Sequence, residues 1–432
     1  MGNIQAGDKK LPSPVDGRVF RERIFQADRS ANRDARRTRI FLHTSFILTI
    51  CLQRFGFELN GSEVYLCSGG FLVLLAWMLS CGMAHLRPTT LILFSIAATS
   101  FLVSLLFAAA IPEAQVGISL ASLPAVLVAN SVLLVAPRRR FDTSQVFPIF
   151  LFYARLCAVC GIVQYALQFV GIPIFSFMVT FPALKPILLE SFYAYNSPLS
   201  YGSPIQRSNG FFLLEPSIFS QLMVAAAIVD AMLRRRFLWL PVYALAYMMS
   251  YSGTGLLGLL VALALFPAVS PKHIFVAIAF AVAGASAVTV IWFIYPAPVE
   301  SILERSSEFQ SSGSSAYARY LAQGQAWEYF SSSYRMLIGH GPGAFERSPP
   351  YVPGSTNPAI KLFADYGLIG LFLFILLIAR SLWNVAYPIL SLFFLALYQL
   401  GGGYLLFPPF LDLAALLCIW SKPSPAKGAR VN

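Results

Sequence analysis

The chain has 432 residues, of which 57% are hydrophobic and only 12% are charged, and its mean hydropathy is +0.68. A soluble domain of this size is about half apolar and about one quarter charged, so the composition excludes a soluble globular enzyme. The long apolar runs also exclude an outer-membrane barrel, whose strands read as short alternating segments. The formal net charge of +12 invites a nucleic-acid partner, but basic residues in a membrane protein more often set its orientation.

The segment at the start of the chain, residues 1–38, is polar and rich in Lys and Arg. It shows neither the apolar core nor the small-residue cleavage site of a signal peptide. We therefore expect a disordered cytoplasmic tail whose positive charges hold the first span in place and contact anionic lipid. Residues 421–432 are expected to form a second, shorter cytoplasmic tail.

A transmembrane helix needs about 20 apolar residues. The membrane domain, residues 39–420, contains twelve apolar runs that are candidates for such helices. The runs are 39–56, 64–85, 89–111, 117–136, 146–170, 211–233, 237–251, 253–270, 273–295, 357–379, 383–400 and 403–420. Only "GGG" separates the last two runs, so eleven spans is an open alternative. The sequence thus predicts an all-α polytopic membrane protein with about 12 (11–12) transmembrane helices.

The positions of Lys and Arg in the loops predict the orientation of these spans. With the N-terminus inside, every short loop on the cytoplasmic side carries a basic residue, as Arg87 and Arg138 illustrate. This positive-inside pattern accounts for the net charge without a nucleic-acid partner. Two long loops, at about 171–210 and 296–356, then lie outside, and the stretch 315–330 of the second loop is predicted to be helical.

Neither cysteine chemistry nor a metal site is indicated by the sequence. The six cysteines lie almost entirely in apolar runs, and the CxxC formed by Cys157 and Cys160 falls inside a predicted span. Buried thiols of this kind are inert, because redox and zinc sites need accessible partners. The chain has no HExxH, no DxD and no His/Cys cluster, so no metal or other cofactor is predicted.

The stretch "RSNGFFLLEPSIFSQ" places two charged residues, Arg207 and Glu215, beside an apolar run. Pro216 fits the first turn of a helix, where its missing N–H costs nothing. The sixth span is therefore predicted to begin near Glu215 at the outer face. Arg207 then lies outside the membrane, at the end of the first long loop.

Two other spans are predicted to begin at the outer face with capping residues. "SGTG" starts the eighth span, with Ser252 or Thr254 able to cap it, and "TNP" starts the tenth, with Asn357 as its cap. Helix N-termini carry a partial positive charge and bind anions. Together with Arg207 and Arg319 in the long loops, these N-termini favour a site for a large, phosphate-like anion. Ordinary helix capping is the simpler alternative.

Two charged residues lie inside predicted spans, where an unpaired charge is costly. Arg155, in the middle of the fifth span, is expected to be structural and to pair with Asp412 or with a backbone carbonyl. Asp230, near the inner end of the sixth span, is expected to snorkel towards the interface or to cap a helix.

Polar residues near the outer face have two interpretations each. Lys361 and Asp365 are spaced i, i+4, and form either an intrahelical pair or part of a substrate site. His340 lies in "GHGPG", where glycines such as Gly341 let the backbone approach a ligand closely. A solvated loop histidine is the alternative to a catalytic one.

Four stretches follow one another over about residues 200–375, namely "RSNGFFLLEPSIFSQ", "SGTG", "ARY…GHGPGAF" and "TNPAIKLFADYGLIGLF". In this order, and with the predicted spans and outer loops, the chain resembles the bacterial O-antigen polymerase and ligase superfamily. The resemblance implies a metal-independent glycosyltransferase of the GT-C type in the bacterial inner membrane, with its active face in the periplasm. Attack on the anomeric carbon as the diphosphate leaves would invert its configuration.

The same resemblance implies partners and a first set of site residues. The substrate would be a polyprenyl-diphosphate-linked oligosaccharide in contact with membrane lipids, and a chain-length regulator and other export components are open candidates for partners. Arginines in both long loops hold the diphosphate in this family, and Arg207 and Arg319 correspond to them here.

One position departs from the pattern of the ligases. Ligases have a His-Asn pair at the start of the tenth span and a glycine nine residues later. Here the spacing from Asn357 to Gly367 is kept, but Thr356 stands at the histidine position. The resemblance therefore favours an exopolysaccharide repeat-unit polymerase, with an O-antigen or protein O-oligosaccharide ligase as the alternative.

These considerations give a set of candidate site residues. The candidate catalytic residues are Arg207, Glu215, Arg319 and His340, and the candidate substrate-binding residues are Asn209, Gly210, Ser252, Thr254, Gly341, Asn357 and Lys361. Glu215 is the first candidate for the base that takes the acceptor's proton and His340 the second, while Glu215 as a structural partner of Arg207 is equally open. A lipid-linked glycan transporter is a different class of protein. It would carry its polar residues near the bilayer midplane, whereas here they gather at one face.

Overall fold

The computed structural model describes most of the chain. The described residues are 17–59, 62–111, 116–172, 174–175, 180–189, 197–199, 203–233, 237–269, 317, 321–349, 351, 357–400 and 404–422. Arg319, Thr356 and the predicted span at 273–295 lie outside these residues.

The described part of the chain is mostly helical, and its helices follow the apolar runs in order. They are α1 (Gly17–Phe46), α2 (Leu66–Ser80), α3 (Pro88–Ala110), α4 (Ser122–Asn130), α5 (Val146–Leu167), α6 (Pro216–Ile228), α7 (Leu240–Ser250), α8 (Thr254–Val269), α9 (Ala322–Ser331), α10 (Pro358–Leu382), α11 (Pro388–Leu400) and α12 (Pro408–Cys418). Short π-helical segments extend α1 at Ile47–Cys51 and α6 at Val229–Leu233. Helix α9 lies within the second long loop, where a helix was predicted.

Three helical segments are long and apolar enough to cross a membrane. They are Pro88–Ala110, Thr143–Val170 and Pro358–Leu382, and seven shorter apolar helices accompany them among the described residues. These features make the chain a helical membrane protein. The count of about 12 spans and the side on which each loop lies stay predictions.

Two expectations about secondary structure are wrong. Residues 17–38, expected to be disordered, lie in α1, which continues without a break into the first apolar run. Arg and Ala favour helix, and an adjoining helix removes the cost of nucleation. The all-α expectation misses two antiparallel strand pairs, β1 (Gly56–Leu59) with β2 (Ser62–Tyr65) and β3 (Ala84–Leu86) with β4 (Val135–Pro137). Both pairs satisfy backbone groups in connections between helices.

Helix α10 packs antiparallel along α3. Phe101 of α3 stacks on Tyr366 at a centroid distance of 3.8 Å and lies 5.7 Å from the ring of Phe374. The Ser104 hydroxyl donates to the carbonyl oxygen of Asp365 at 2.7 Å. These contacts fix α10, whose N-terminal end carries several candidate site residues.

Helix α8 packs between α6 and α11, and two glycines allow the close approach. A Cβ on Gly255 would lie 2.6 Å from the carbonyl oxygen of Ser220 in α6. A Cβ on Gly258 would lie 2.5 Å from the side chain of Leu397 in α11. The N-terminal ends of α6 and α8 and the C-terminal end of α11 are thereby held together.

Arg155 has a different partner from those expected. Its guanidinium contacts both carboxylate oxygens of Asp230, at 2.9 and 3.2 Å, and the Tyr243 hydroxyl donates to Asp230 at 2.8 Å. The pairing of Arg155 with Asp412 is wrong, and so is the snorkelling or capping role for Asp230, which is fully buried. A buried carboxylate is retained here because the arginine and the hydroxyl satisfy it.

Candidate active site

A tight turn at Ser208–Phe211 is anchored to α5 by one buried glutamine. Gln164 Oε1 accepts from Ser208 Oγ at 3.0 Å and from the backbone N–H groups of Asn209 and Phe211, each at 3.2 Å. Gln164 Nε2 donates to Asn209 Oδ1 at 3.0 Å. Gln164 was missed from the sequence, although a polar residue within a predicted span was a signal that could have found it.

The turn fixes the residues on either side of it. Gly210 and Phe211 both have positive φ, 68° and 67°, and a Cβ on Gly210 would lie 2.6 Å from the ring of Phe219, so glycine is required there. The N–H of Arg207 donates to the carbonyl of Ser197 at 2.8 Å. Asn209 is buried and engaged by Gln164, a contact that favours positioning the turn over binding substrate.

Glu215 occupies the N-cap position of α6, and Pro216 is the first helical residue. The helix thus begins where the proline predicted. Glu215 is half-buried, and its Oε2 accepts from Ser217 Oγ at 2.8 Å. The carboxylate therefore lies at the mouth of α6, close to the positive end of the helix dipole.

The β1–β2 hairpin and the residues before it border Glu215, which the sequence did not predict. The buried guanidinium of Arg54 donates to the carbonyl of Leu213 at 2.9 Å. The Tyr65 hydroxyl donates to Glu63 Oε2 at 2.7 Å. The Tyr65 side chain lies near Glu215 and acts as a hydrogen-bond donor in this hairpin.

Helix α8 begins at Thr254, beside the anchored turn. The N–H of Ser208 donates to a carbonyl in the last turn of α7 at 2.9 Å, which brings the turn to the α7–α8 corner. The side-chain oxygens of Ser252 and Thr254 lie 3.3 Å apart. Ser252 or Thr254 was expected to cap this helix. Instead, Ser220 Oγ of α6 accepts from the N–H of Gly255 at 3.2 Å.

Helix α10 begins as the sequence predicted. Asn357 Oδ1 accepts from the N–H groups of Ala359 and Ile360 at 2.9 and 3.4 Å, and Pro358 is the first helical residue. Asn357 also forms two hydrogen bonds with Gln399 of α11. Asn357 Nδ2 donates to the Gln399 carbonyl at 2.7 Å, and Gln399 Nε2 donates to Asn357 Oδ1 at 2.6 Å. The cap therefore joins two helices.

These contacts group the N-terminal ends of α6, α8 and α10. Ser220 joins α6 to the start of α8. Leu397 of α11 packs on Gly258, one turn further along α8. Gln399, half a turn beyond, holds Asn357 at the start of α10. The three helix starts that the sequence singled out therefore lie at one end of the bundle, as an anion site would require.

The "GHGPG" loop docks against a kink in α10. Gly367 has φ 69° and ψ −175° inside the helix, so carbonyls one turn before it lose their helical donors. The N–H of His340 donates to the carbonyl of Ala364 at 3.0 Å, and that of Gly341 to the carbonyl of Asp365 at 2.9 Å. The loop thus replaces the helical donors that the kink removes.

Lys361 lies in a buried charge network within this region. Its Nζ lies 2.8 Å from Asp365 Oδ2 and 2.7 Å from Glu346 Oε2. Asp365 also accepts from the N–H groups of Gly343 and Phe345, at 3.0 and 2.9 Å. Lys361 and Asp365 are fully buried, so their contacts favour the structural interpretation, extended by Glu346.

His340 is buried rather than solvated, with only 4% of its surface exposed. Its ring lies edge-to-face on Phe330 of α9 at 4.9 Å. A Cβ on Gly341 would lie 2.7 Å from Ala108 at the end of α3. The two residues therefore pack between helices and lie apart from the anchored turn in the contacts described. Their predicted roles in catalysis and binding stay untested, as does that of Arg319.

The described residues contain no group of His, Cys, Asp and Glu side chains arranged to hold a metal ion. The expectation that the reaction needs no metal stays a prediction. The contacts described above bring Arg207 and Glu215 to the end of the bundle where the three helix starts lie, and these make up the candidate site in the described chain.

One comparison with known proteins finds a family model that matches part of the chain. Residues 237–375 match the family model described as O-antigen ligase, which confirms the predicted resemblance to the O-antigen polymerase and ligase superfamily. The match covers α7 and α8 and extends into α10, including the kink. No curated protein and no solved structure matches the chain. The family indicates a membrane enzyme of the ligase or polymerase type that transfers glycans from lipid-linked oligosaccharides.

Proposed function

From the match to the O-antigen ligase family, we propose that this protein polymerises surface-polysaccharide repeat units. It transfers a growing glycan from a polyprenyl diphosphate carrier to the next lipid-linked repeat, at the periplasmic face of the bacterial inner membrane. The observation that supports this most directly is the anchored turn. It holds Arg207 and Glu215 beside the N-terminal end of α6, with the starts of α8 and α10 nearby.

The site offers the two functions that the reaction needs. The bond between the anomeric carbon and the diphosphate oxygen breaks, and negative charge accumulates on the diphosphate. Arg207, Arg319 and the helix N–H groups stabilise this charge, because fixed donors need not reorganise as it develops. The acceptor hydroxyl forms the new bond from the opposite face, with inversion, and gives its proton to Glu215.

A ligase is the second candidate function, favoured by the description of the matching family. In that case the acceptor is a lipid A core or a protein instead of a lipid-linked repeat. Thr356, at the position where ligases have histidine, favours the polymerase. The grouping of the polar residues at one end of the bundle argues against a transporter, which would place them at the midplane.

Complementation of a deletion strain tests the proposal. Cells carrying the wild-type chain are expected to restore long surface polymer, whereas Arg207→Ala and Glu215→Ala leave single repeats, by gel electrophoresis of surface glycan. Lys185→Ala removes an exposed charge from the first long loop and serves as the control that keeps long polymer. Long polymer accumulating on the lipid carrier in the deletion strain would assign the ligase instead. Wild-type polymer from Arg207→Ala would overturn the site.

A further inference from the structure

Three cations meet at the end of the bundle opposite the candidate active site. Arg87 precedes α3, Arg380 lies in the last turn of α10, and Lys422 follows α12. The Arg87 guanidinium donates to the carbonyl of Ser381 at 3.2 Å and to the carbonyl of Leu133, which holds it at the end of α10. The positive-inside pattern predicts that this end faces the cytoplasm.

The end of α12 is tied to the same place. Asn384, just after α10, donates to the Cys418 carbonyl at 3.0 Å and to Ser421 Oγ at 3.2 Å. Ser421 immediately precedes Lys422. Three elements that are distant in sequence therefore carry their cations to one location.

This cluster carries positive charge that the described residues do not neutralise. None of the ion pairs among the described residues includes Arg87, Arg380 or Lys422, and Arg87 Nε is buried without a hydrogen-bond partner there. Burial, together with Arg380, lowers the pKa of Arg87 to about 10. Burial, followed by Arg87 and Arg380, lowers the pKa of Lys422 to about 8. Basic residues that only set orientation lie on open loops and remain hydrated. Arg87 and Lys422 instead carry the cost of desolvating their charges, which a bound anion would offset.

The surfaces that lead to the cluster are apolar and exposed. Ile92 and Ile96 of α3 are 59% and 46% exposed, and Phe372 and Leu376 of α10 are 67% and 42% exposed. In a membrane these faces contact acyl chains. An anion that reaches the cluster along α3 and α10 would therefore carry hydrocarbon next to its charge.

We propose that Arg87, Arg380 and Lys422 form a binding site for a phosphate group, the chemistry that an anionic phospholipid headgroup shares with free phosphate. The guanidinium groups supply paired N–H donors and the ammonium a third cation, as phosphate recognition requires. The adjoining apolar faces of α3 and α10 accommodate the acyl chains of the lipid. This site is separate from the transfer reaction and occupies the opposite end of the bundle.

Native mass spectrometry of the full-length protein in detergent, with added phosphatidylglycerol, tests the site. Wild-type protein is expected to retain phosphatidylglycerol in preference to phosphatidylcholine. Arg380→Gln and Lys422→Met each lower the phosphatidylglycerol affinity about fivefold, since one basic residue contributes about 1 kcal/mol to such binding. Arg139→Gln removes an exposed arginine of the same predicted side and retains wild-type affinity. Among the described residues, neither Arg380 nor Lys422 makes a hydrogen bond through its side chain, so both variants are expected to fold. Thermal unfolding without lipid verifies this.

A second arm separates the two sources of phosphate. Inorganic phosphate at millimolar concentration is added in place of lipid, and thermal unfolding is measured. Equal stabilisation of the wild type by phosphate and by phosphatidylglycerol, lost in Lys422→Met, assigns the site to free phosphate. Stabilisation by the lipid alone assigns it to the headgroup. Equal responses of wild type, Lys422→Met and Arg139→Gln to both ligands would overturn the proposal.

Discussion

Gln164 in α5 and Asn209 in the turn before α6 exchange a hydrogen bond of 3.0 Å between their side-chain amides. The same glutamine accepts from two backbone N–H groups and one hydroxyl of the turn. A single side chain thus makes several of the contacts that position the turn between Arg207 and Glu215. Removing the glutamine leaves the buried N–H of Asn209 without its acceptor. Ser208 Oγ keeps its bond to the Gly161 carbonyl, and the N–H of Phe211 keeps Asn209 Oδ1.

We expect Gln164→Leu to abolish long polymer and to destabilise the protein by about 1–3 kcal/mol, because that is the cost of one buried unsatisfied polar group. Thermal unfolding and surface-glycan gels measure the two effects. Gln145→Leu is the matched control, since Gln145 is only half-buried and donates a single side-chain bond to Asp142 at 3.1 Å. Wild-type polymer from Gln164→Leu would show that the turn does not position the reacting groups.

The kink at Gly367 gives a second prediction. A Cβ there would lie 2.4 Å from the carbonyl of Leu337, and its φ of 69° already disfavours any other residue. We expect Gly367→Ala to destabilise the protein by about 3 kcal/mol or more, since backbone strain alone costs about 1–3 kcal/mol. Gly324→Ala, in α9, meets nothing within 4 Å and is expected to be neutral or slightly stabilising, because alanine favours helix. Equal unfolding temperatures for the two variants would contradict the docking of the loop at the kink.

Local chemistry explains which parts of this structure could be predicted from the sequence. The starts of α6 and α10 were predicted because Pro216 and Asn357 act on their own helix turns. The partners of Gln164 and Arg155 were not, because each contact joins residues that only folding brings together. The same holds for the kink. A glycine in an apolar run is typical of ordinary membrane helices, and only the docked loop reveals the strained conformation.

The buried charge network around Lys361 gives a third prediction. It distinguishes a structural role of Lys361 from a role in substrate binding. Removing the cation leaves Asp365 and Glu346 without their shared partner, and breaking a buried pair costs about 3–5 kcal/mol. We therefore expect Lys361→Met to lower the unfolding temperature sharply and Lys361→Met with Asp365→Asn to recover part of the loss. A substrate-binding Lys361 would instead give a Lys361→Met protein of normal stability that makes no long polymer.

The cation cluster predicts how stability depends on pH. Among the described residues, the titratable groups that act on Lys422 are Arg87, Arg380 and the thiol of Cys418. The pKa of Lys422 is about 8 in the folded protein, against 10.5 for an unperturbed lysine. Between these two values the unfolded chain binds more protons than the folded one, so stability rises with pH. At neutral pH the folded state bears the full cost of the charge.

Lys422→Met is therefore expected to unfold at a higher temperature than the wild type at pH 7 in detergent free of phosphate. This advantage shrinks as the pH rises from about 8 to 10.5, because the folded lysine has lost its proton there while the unfolded lysine still holds one, and wild-type stability rises with pH. Thermal unfolding of both proteins across this range measures the difference, with Arg139→Gln as the control whose difference from the wild type stays constant. Added phosphatidylglycerol neutralises the cluster and removes the advantage at pH 7. A constant difference in unfolding temperature between Lys422→Met and the wild type over the whole range would show that the pKa of Lys422 is not lowered by burial and the neighbouring arginines.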